Sequence, residues 1–158
     1  MMKAASISEL KNEIKSKPVS EVIDLCLRLA RYKKENKELL TYLLFEADDQ
    51  SAYIKNVKEE IDNGFAEINL SNIYFTKKTL RKILRITNKH IKYAGDKEVE
   101  VQLLLHYCTN FKGLKVATQK SAALNNLYAN QIKKIGAAIA AMHEDLQHEY
   151  LRELDRLM

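Results

Sequence analysis

Apolar residues recur at steps of three and four along most of the chain, the spacing of helices that bury one face. Ser6 followed by Glu9 has the form of a capping box, and Ile7, Leu10 and Ile14 repeat behind it until Pro18 interrupts, which predicts a short first helix. Pro18 suits a first helical position. From there Val22, Leu25, Cys26, Leu29 and Ala30 form one stripe while Glu21, Asp24, Arg28 and Arg31 lie mostly elsewhere, so a second helix is expected to run to about Lys34. Leu39, Leu40, Tyr42, Leu43 and Leu44 begin a third segment that is apolar on nearly every side. Its acidic end at Glu46, Asp48 and Asp49 leads into Tyr53, Ile54, Val57 and Ile61. Asp48 or Ser51 is placed to cap this fourth helix, unless the two segments run on as one.

Asn63 and Gly64 read as a helix stop, and residues 64–75 mix apolar side chains with Asn and Ser without a clean period, which predicts an irregular linker. Thr76 is placed to cap a fifth helix in which Leu80, Ile83, Leu84, Thr87 and Ile91 share a face, with Gly95 as its stop. Asp96 is then placed to cap a sixth, Val99 to Phe111, ended by Gly113. From Ala117 the series Leu124, Tyr128, Ile135, Ala138, Met142, Leu146, Tyr150, Leu154 and Leu157 predicts one long C-terminal helical segment over 117–157, or two collinear helices. Unbroken from Ser121 to Leu157 it would reach ~55 Å, more than a compact domain of this size needs, so part of it is expected to project or to pair with another chain. Leu146, Tyr150, Leu154 and Leu157 are the expected oligomer interface, through which the chain would form a dimer. The tetratricopeptide and ankyrin signatures are absent. The pattern therefore predicts an all-α fold, an irregular multi-helix bundle of about six to eight helices in a single domain over 1–158, with a short α-solenoid as the alternative.

Composition agrees with this picture and narrows it. A chain of 158 residues, 46% hydrophobic and 30% charged, is long enough to bury a core, and four Gly with one Pro are too few for the tight turns of a sheet protein. No run approaches the ~18 apolar residues of a membrane span, and charges occupy the start of the chain where a signal peptide would be apolar, so no membrane association and a cytoplasmic location are expected. Cys26 and Cys108 form no CxxC, so neither a disulfide framework nor a cysteine metal site is indicated, and both read as small core residues.

Charge changes the picture most. The net +5 conceals a segregation: Ile68 to His143 holds thirteen Lys or Arg against only Asp96, Glu98 and Glu100, while the flanks together are acidic. Between Thr76 and Gly95 there are seven Lys or Arg and no acid. Lys78, Lys82, Arg85, Lys89 and Lys92 follow one another at steps of four, three, four and three and share a face, with Arg81 beside them. These six are the candidate anion-binding residues, for an acidic protein surface or for the phosphates of nucleic acid. The plainer account is a solvated face, or one neutralised by the acidic tail Glu144, Glu149, Glu153 and Asp155.

Candidate chemistry is thin by comparison. His143, Glu144, Asp145 and His148 have the outline of the zinc-protease HExxH motif, but their two His are five apart instead of four and diverge by roughly 140° on a helix. Asp145 and His148 have the Glu-x-x-His spacing of a helical di-metal site without the second motif that such a site needs. Glu46, Asp48 and Asp49 lack the Gly and the ligand spacing of a calcium loop. Cys108 lies two after His106, so on a helix the two point about 200° apart. No phosphate-cradling glycine motif occurs. Tyr42, Tyr53, Tyr93, Tyr107, Tyr128 and Tyr150 read as core aromatics whose hydroxyls reach the surface, and only Tyr93, beside Lys92 and near Lys89, is placed for base stacking. No catalytic residue, metal ligand or cofactor is assigned. The expected function is a non-enzymatic helical protein-interaction module with a basic anion-binding face, taking a protein partner or self-associating. The alternatives are a nucleic-acid-binding helical domain and, behind it, a metal-dependent helical-bundle enzyme built around Asp145 and His148.

Overall fold

A computed structural model describes residues 1–114 and 121–158. Among the described residues it holds eight α-helices and no strand, an all-α multi-helix bundle. The chain divides into two compact units, Met1–Phe45 and Glu46–Met158.

The first unit contains α1 (Ile7–Lys15), α2 (Val19–Tyr32) and α3 (Lys34–Thr41), and α3 runs on into a π-helical turn at Tyr42–Glu46. The capping box forms as the sequence implied. Glu9 donates its backbone N–H to Ser6 Oγ at 3.2 Å, and Ser6 donates its own to Glu9 Oε2 at 2.8 Å. Pro18 stands one position earlier than expected, as the extended residue before α2, with ψ 152°. Lys33, also extended, separates α2 from α3, which pack on each other, and Asn36 Nδ2 ties the turn by donating to the Leu29 carbonyl at 2.8 Å. None of the three helices buries a residue. Cys26, expected in a core, is therefore exposed, because the apolar arc of α2 is wider than α3 covers.

The second unit contains α4 (Gln50–Ala66), α5 (Ile73–Ala94), α6 (Lys97–Lys112), α7 (Ala122–Ala140) and α8 (Glu144–Asp155). Asp49, not Asp48 or Ser51, caps α4 by accepting from the Ala52 N–H. Gly64 does not stop that helix. A Cβ on it would stand 2.9 Å from Ile83 Cγ1, so the glycine lets α4 and α5 approach closely. Asn72 rather than Thr76 caps α5, which begins at Ile73 and shortens the irregular stretch to Glu67–Asn72. Thr76 is instead buried within the first turn, its hydroxyl donating to the Asn69 and Asn72 carbonyls. Gly95, in the left-handed conformation with φ 60°, ends α5, and Asp96 caps α6 through the Glu98 and Val99 N–H groups, both as the sequence indicated.

The centre of this unit is α6. Leu103, Leu104 and Leu105 are consecutive and so point in three directions, yet all three are buried, as are Val99, Val101, Tyr107, Cys108 and Phe111. An apolar arc this wide has to be covered on most sides, and α4, α5, α7 and α8 all pack on α6, leaving a narrower polar strip with Gln102, His106 and Asn110.

The C-terminal segment is two helices. Residues 117–120 at its expected start lie outside the described residues, Ser121 caps α7, and Ala141–His143 break the run. His143 caps α8 with its own Nδ1, accepting from the Asp145 N–H at 3.3 Å. The chain then turns back, so that Tyr128 donates to the Leu157 carbonyl at 2.5 Å and Leu154 packs beside Gly136. The result is an antiparallel hairpin in place of a projecting or collinear rod. Apolar periodicity cannot reveal this turn, because both arms bury their stripes in the same core and no Gly or Pro marks the reversal.

Candidate functional site

The basic stripe lies on α5, the longest helix among the described residues. Thr76, Leu80, Ile83, Leu84 and Thr87 are buried on one face of it, and Tyr107 on α6 fixes that face by donating its hydroxyl to the Leu80 carbonyl at 2.8 Å. Anchoring this face turns the opposite one outward. Lys78, Arg81, Lys82, Arg85 and Lys92 are exposed, and Lys89 is half-buried and engaged with a neighbour. From Lys78 to Lys92 the stripe runs about 21 Å along the helix axis. Among the described residues none of Lys78, Arg81, Lys82, Arg85 and Lys92 forms an ion pair. The acidic tail does not neutralise them: α8 packs on α7 and α6, and the cations that do pair, such as Lys97 with Glu100 at 3.2 Å, lie off the stripe.

The four residues expected at an oligomer interface fare differently. Tyr150, Leu154 and Leu157 are buried inside the chain's own hairpin, and Leu146 alone is exposed, at 39%. Tyr150 also donates its hydroxyl to Glu98 Oε1 at 2.8 Å, tying α8 to α6. Packing within one chain thus uses three of the four side chains.

The hydroxyls of Tyr53, Tyr107, Tyr128 and Tyr150 end on protein partners. Tyr53 Oη is hydrogen-bonded to His90 Nδ1 at 2.6 Å, and His90 Nε2 donates to Glu60 Oε2 at 3.0 Å, a direction set because a carboxylate can only accept. This relay pins α4 to α5. Desolvation pushes the Tyr128 hydroxyl up to about 12 and raises those of Tyr107 and Tyr150 further, so these groups stay neutral.

A second relay was not visible in the sequence. His106 on α6 donates from Nε2 to Asp62 Oδ1 on α4 at 2.6 Å, and Asn110 Nδ2 donates to the same oxygen at 3.0 Å. Two adjoining hollows, of about 260 and 430 Å³, share Lys58, Gln102 and His106 in their walls. The His106–Asp62 pair ties α6 to α4. The Cys108 thiol is buried and pushed up to about 12, the reverse of an activated cysteine. The partners of Asp62 stand 44 and 48 positions away, beyond any local pattern.

His143 Nδ1 lies 3.4 Å from Asp145 Oδ2, but His148 does not join them. His143 is spent on the α8 cap, and His148 Nε2 lies 3.1 Å from the Arg152 guanidinium on its own helix. Among the described residues no three His, Cys, Asp or Glu side chains gather as metal ligands, and no helix is long and apolar enough to cross a membrane. No family model, curated protein or solved structure matches this chain.

Proposed function

We propose that this chain is a non-enzymatic helical interaction module that engages an anionic partner through the exposed face of α5. One observation carries the reading: five cations, Lys78, Arg81, Lys82, Arg85 and Lys92, form no ion pair among the described residues along about 21 Å of a helix whose other face is locked into the core. Like charges at helical spacing repel by a few tenths of a kcal/mol per pair, a cost that folding gives no reason to accept. An acidic protein surface suits the stripe directly. Nucleic acid is the second reading, favoured by spacing, since steps of three and four residues place cations about 5–6 Å apart and phosphates along a strand lie at comparable intervals.

The test compares the parent with the triple variant Lys78→Gln, Lys82→Gln and Arg85→Gln, titrated against a polyglutamate peptide, duplex DNA and single-stranded RNA at ~50 and ~200 mM salt. Binding by the parent that weakens with salt is expected, with the variant weaker and its salt slope reduced by about 3 for duplex DNA. Preference for the peptide supports a protein partner, and preference for DNA or RNA supports the second reading. Equal binding by parent and variant would reduce the stripe to ordinary surface.

A further inference from the structure

The first turn of α5 adds an apolar element to the cationic face. Tyr74 is 63% exposed and Phe75 47%, and their rings meet edge to face, with centroids 5.5 Å apart and planes at 72°, so the two form one aromatic patch. Ile73 beside them is exposed as well. Tyr74 stands four, seven, eleven and eighteen residues before Lys78, Arg81, Arg85 and Lys92, and Phe75 stands three and seven before Lys78 and Lys82. Those steps put both rings on the cationic side of the helix. Tyr74 heads a ridge that runs through Arg81 and Arg85 to Lys92, about 27 Å long. No acid occurs between Glu67 and Asp96, so nothing within this stretch of chain answers the charge.

We infer that the partner of this face is an acidic peptide segment with an apolar anchor at one end: the anchor packs on Tyr74 and Phe75 while the carboxylates follow Lys78, Arg81, Lys82, Arg85 and Lys92. Such a partner presupposes the anion-binding reading of α5 proposed above, and adds to it an apolar residue and a direction along the helix. Charge complementarity selects the acids, since every charge on this face is positive. Tyr and Arg on one ridge are the residue types in which the binding energy of protein interfaces concentrates, and a guanidinium takes a carboxylate by two hydrogen bonds at once. Nucleic acid fits the aromatic patch less well. Successive bases stack on aromatics spread along a cationic track, but Tyr93, the aromatic at the far end of the stripe, is half-buried with its ring against His90. The 72° between Tyr74 and Phe75 also denies neighbouring bases a pair of parallel faces. A lipid surface fits less well again, because an interfacial helix turns its apolar face to the membrane, and that face of α5 is locked into the core.

The experiment titrates the full chain, at ~50 and ~200 mM salt, with three peptides. One is a run of about eight glutamates, long enough when extended to follow the ridge, and the others carry Phe-Leu added at its N-terminal or its C-terminal end. One of the anchored peptides is expected to bind about tenfold tighter than plain polyglutamate, a gain that persists at the higher salt because it comes from buried apolar surface. Tyr74→Ser with Phe75→Ser should abolish that gain and leave the binding of plain polyglutamate as in the parent. A photo-cross-link needs no variant: in the unaltered chain, a benzophenone in place of the anchor phenylalanine should label residues 70–77. Equal binding of the three peptides, a gain that survives in the double variant, or label outside 70–77 would each overturn the anchor, while salt-dependent binding of polyglutamate would keep α5 as an anion-binding face. A parent that binds none of the peptides removes both. Oligouridylate and phosphatidylcholine vesicles with about 30% phosphatidylserine are titrated alongside. If either loses more affinity in the double variant than the anchored peptide does, the patch serves bases or lipid and the proposal fails.

Discussion

Replacing Gly64 by Ala separates two roles that a helical glycine can play. Were it the stop that its Asn-Gly context suggests, Ala would extend the helix and stabilise the chain by up to ~1 kcal/mol, the difference in helix propensity. In the fold it sits inside α4, where an added Cβ meets Ile83 Cγ1 at 2.9 Å and Cδ1 at 3.2 Å. Ile83 has little room to yield, since it is 5% exposed and a β-branched side chain in a helix keeps essentially one χ1 rotamer. Overpacking of this kind costs about 1–3 kcal/mol, so after the propensity gain Gly64→Ala should destabilise by roughly 0.5–2 kcal/mol. Urea unfolding would show this as a midpoint lowered with m unchanged. Ile83→Ala alone should cost about 2–5 kcal/mol, and in that background Gly64→Ala should become neutral or stabilising, because the methyl then enters the space that isoleucine left. A rise in midpoint for the single variant, or the same change in both backgrounds, would refute the close-approach account.

Gly95→Ala should also destabilise, by about 1 kcal/mol, but for backbone reasons alone: φ is 60° and nothing lies within 4 Å of an added Cβ, so Gly95→Asn should recover most of the loss. At pH 8 a thiol reagent should modify exposed Cys26 quickly and buried Cys108 only after denaturation, and rapid modification of both would contradict the burial of α6. Alkaline stability should fall as pH rises from 10 towards 12. Tyr128, lifted to about 12 in the folded chain from an ordinary value of 10.0, binds its proton more tightly folded than unfolded, so its contribution is complete below 10 and lost across that interval. Tyr128→Phe should make the fall shallower, as followed by denaturant midpoints at stepped pH.

Elements whose signals lie within four residues were legible in the sequence. Ser6 with Glu9 and Gly95 with Asp96 were read correctly because cap and partner are neighbours in the chain. Near misses came where several polar residues competed for one cap: Asp49 lies between Asp48 and Ser51, and Asn72 lies four residues before Thr76. Gly64 misled because its reason is Ile83, on another helix, and the Ala141–His143 reversal was hidden because it kept the apolar phase of both arms. The α5 stripe was legible as a pattern on a single helix. That Lys89 is half covered, and that Asp62 meets His106, depends on which helices adjoin, and no spacing rule reports that.

The central place of α6 bears on how the chain is made. A ribosome delivers α4 and α5 before α6, but α7 and α8 after it, so for a time the helix has neighbours on some sides only. At ~5–20 residues per second, the stretch from Gly113 to Leu157 takes roughly 2–9 s to follow. Through those seconds the apolar side chains that α7 and α8 will cover remain open to water or to a chaperone. Codons slowing translation beyond Gly113 would prolong that exposure, while slow codons before α6 would be harmless.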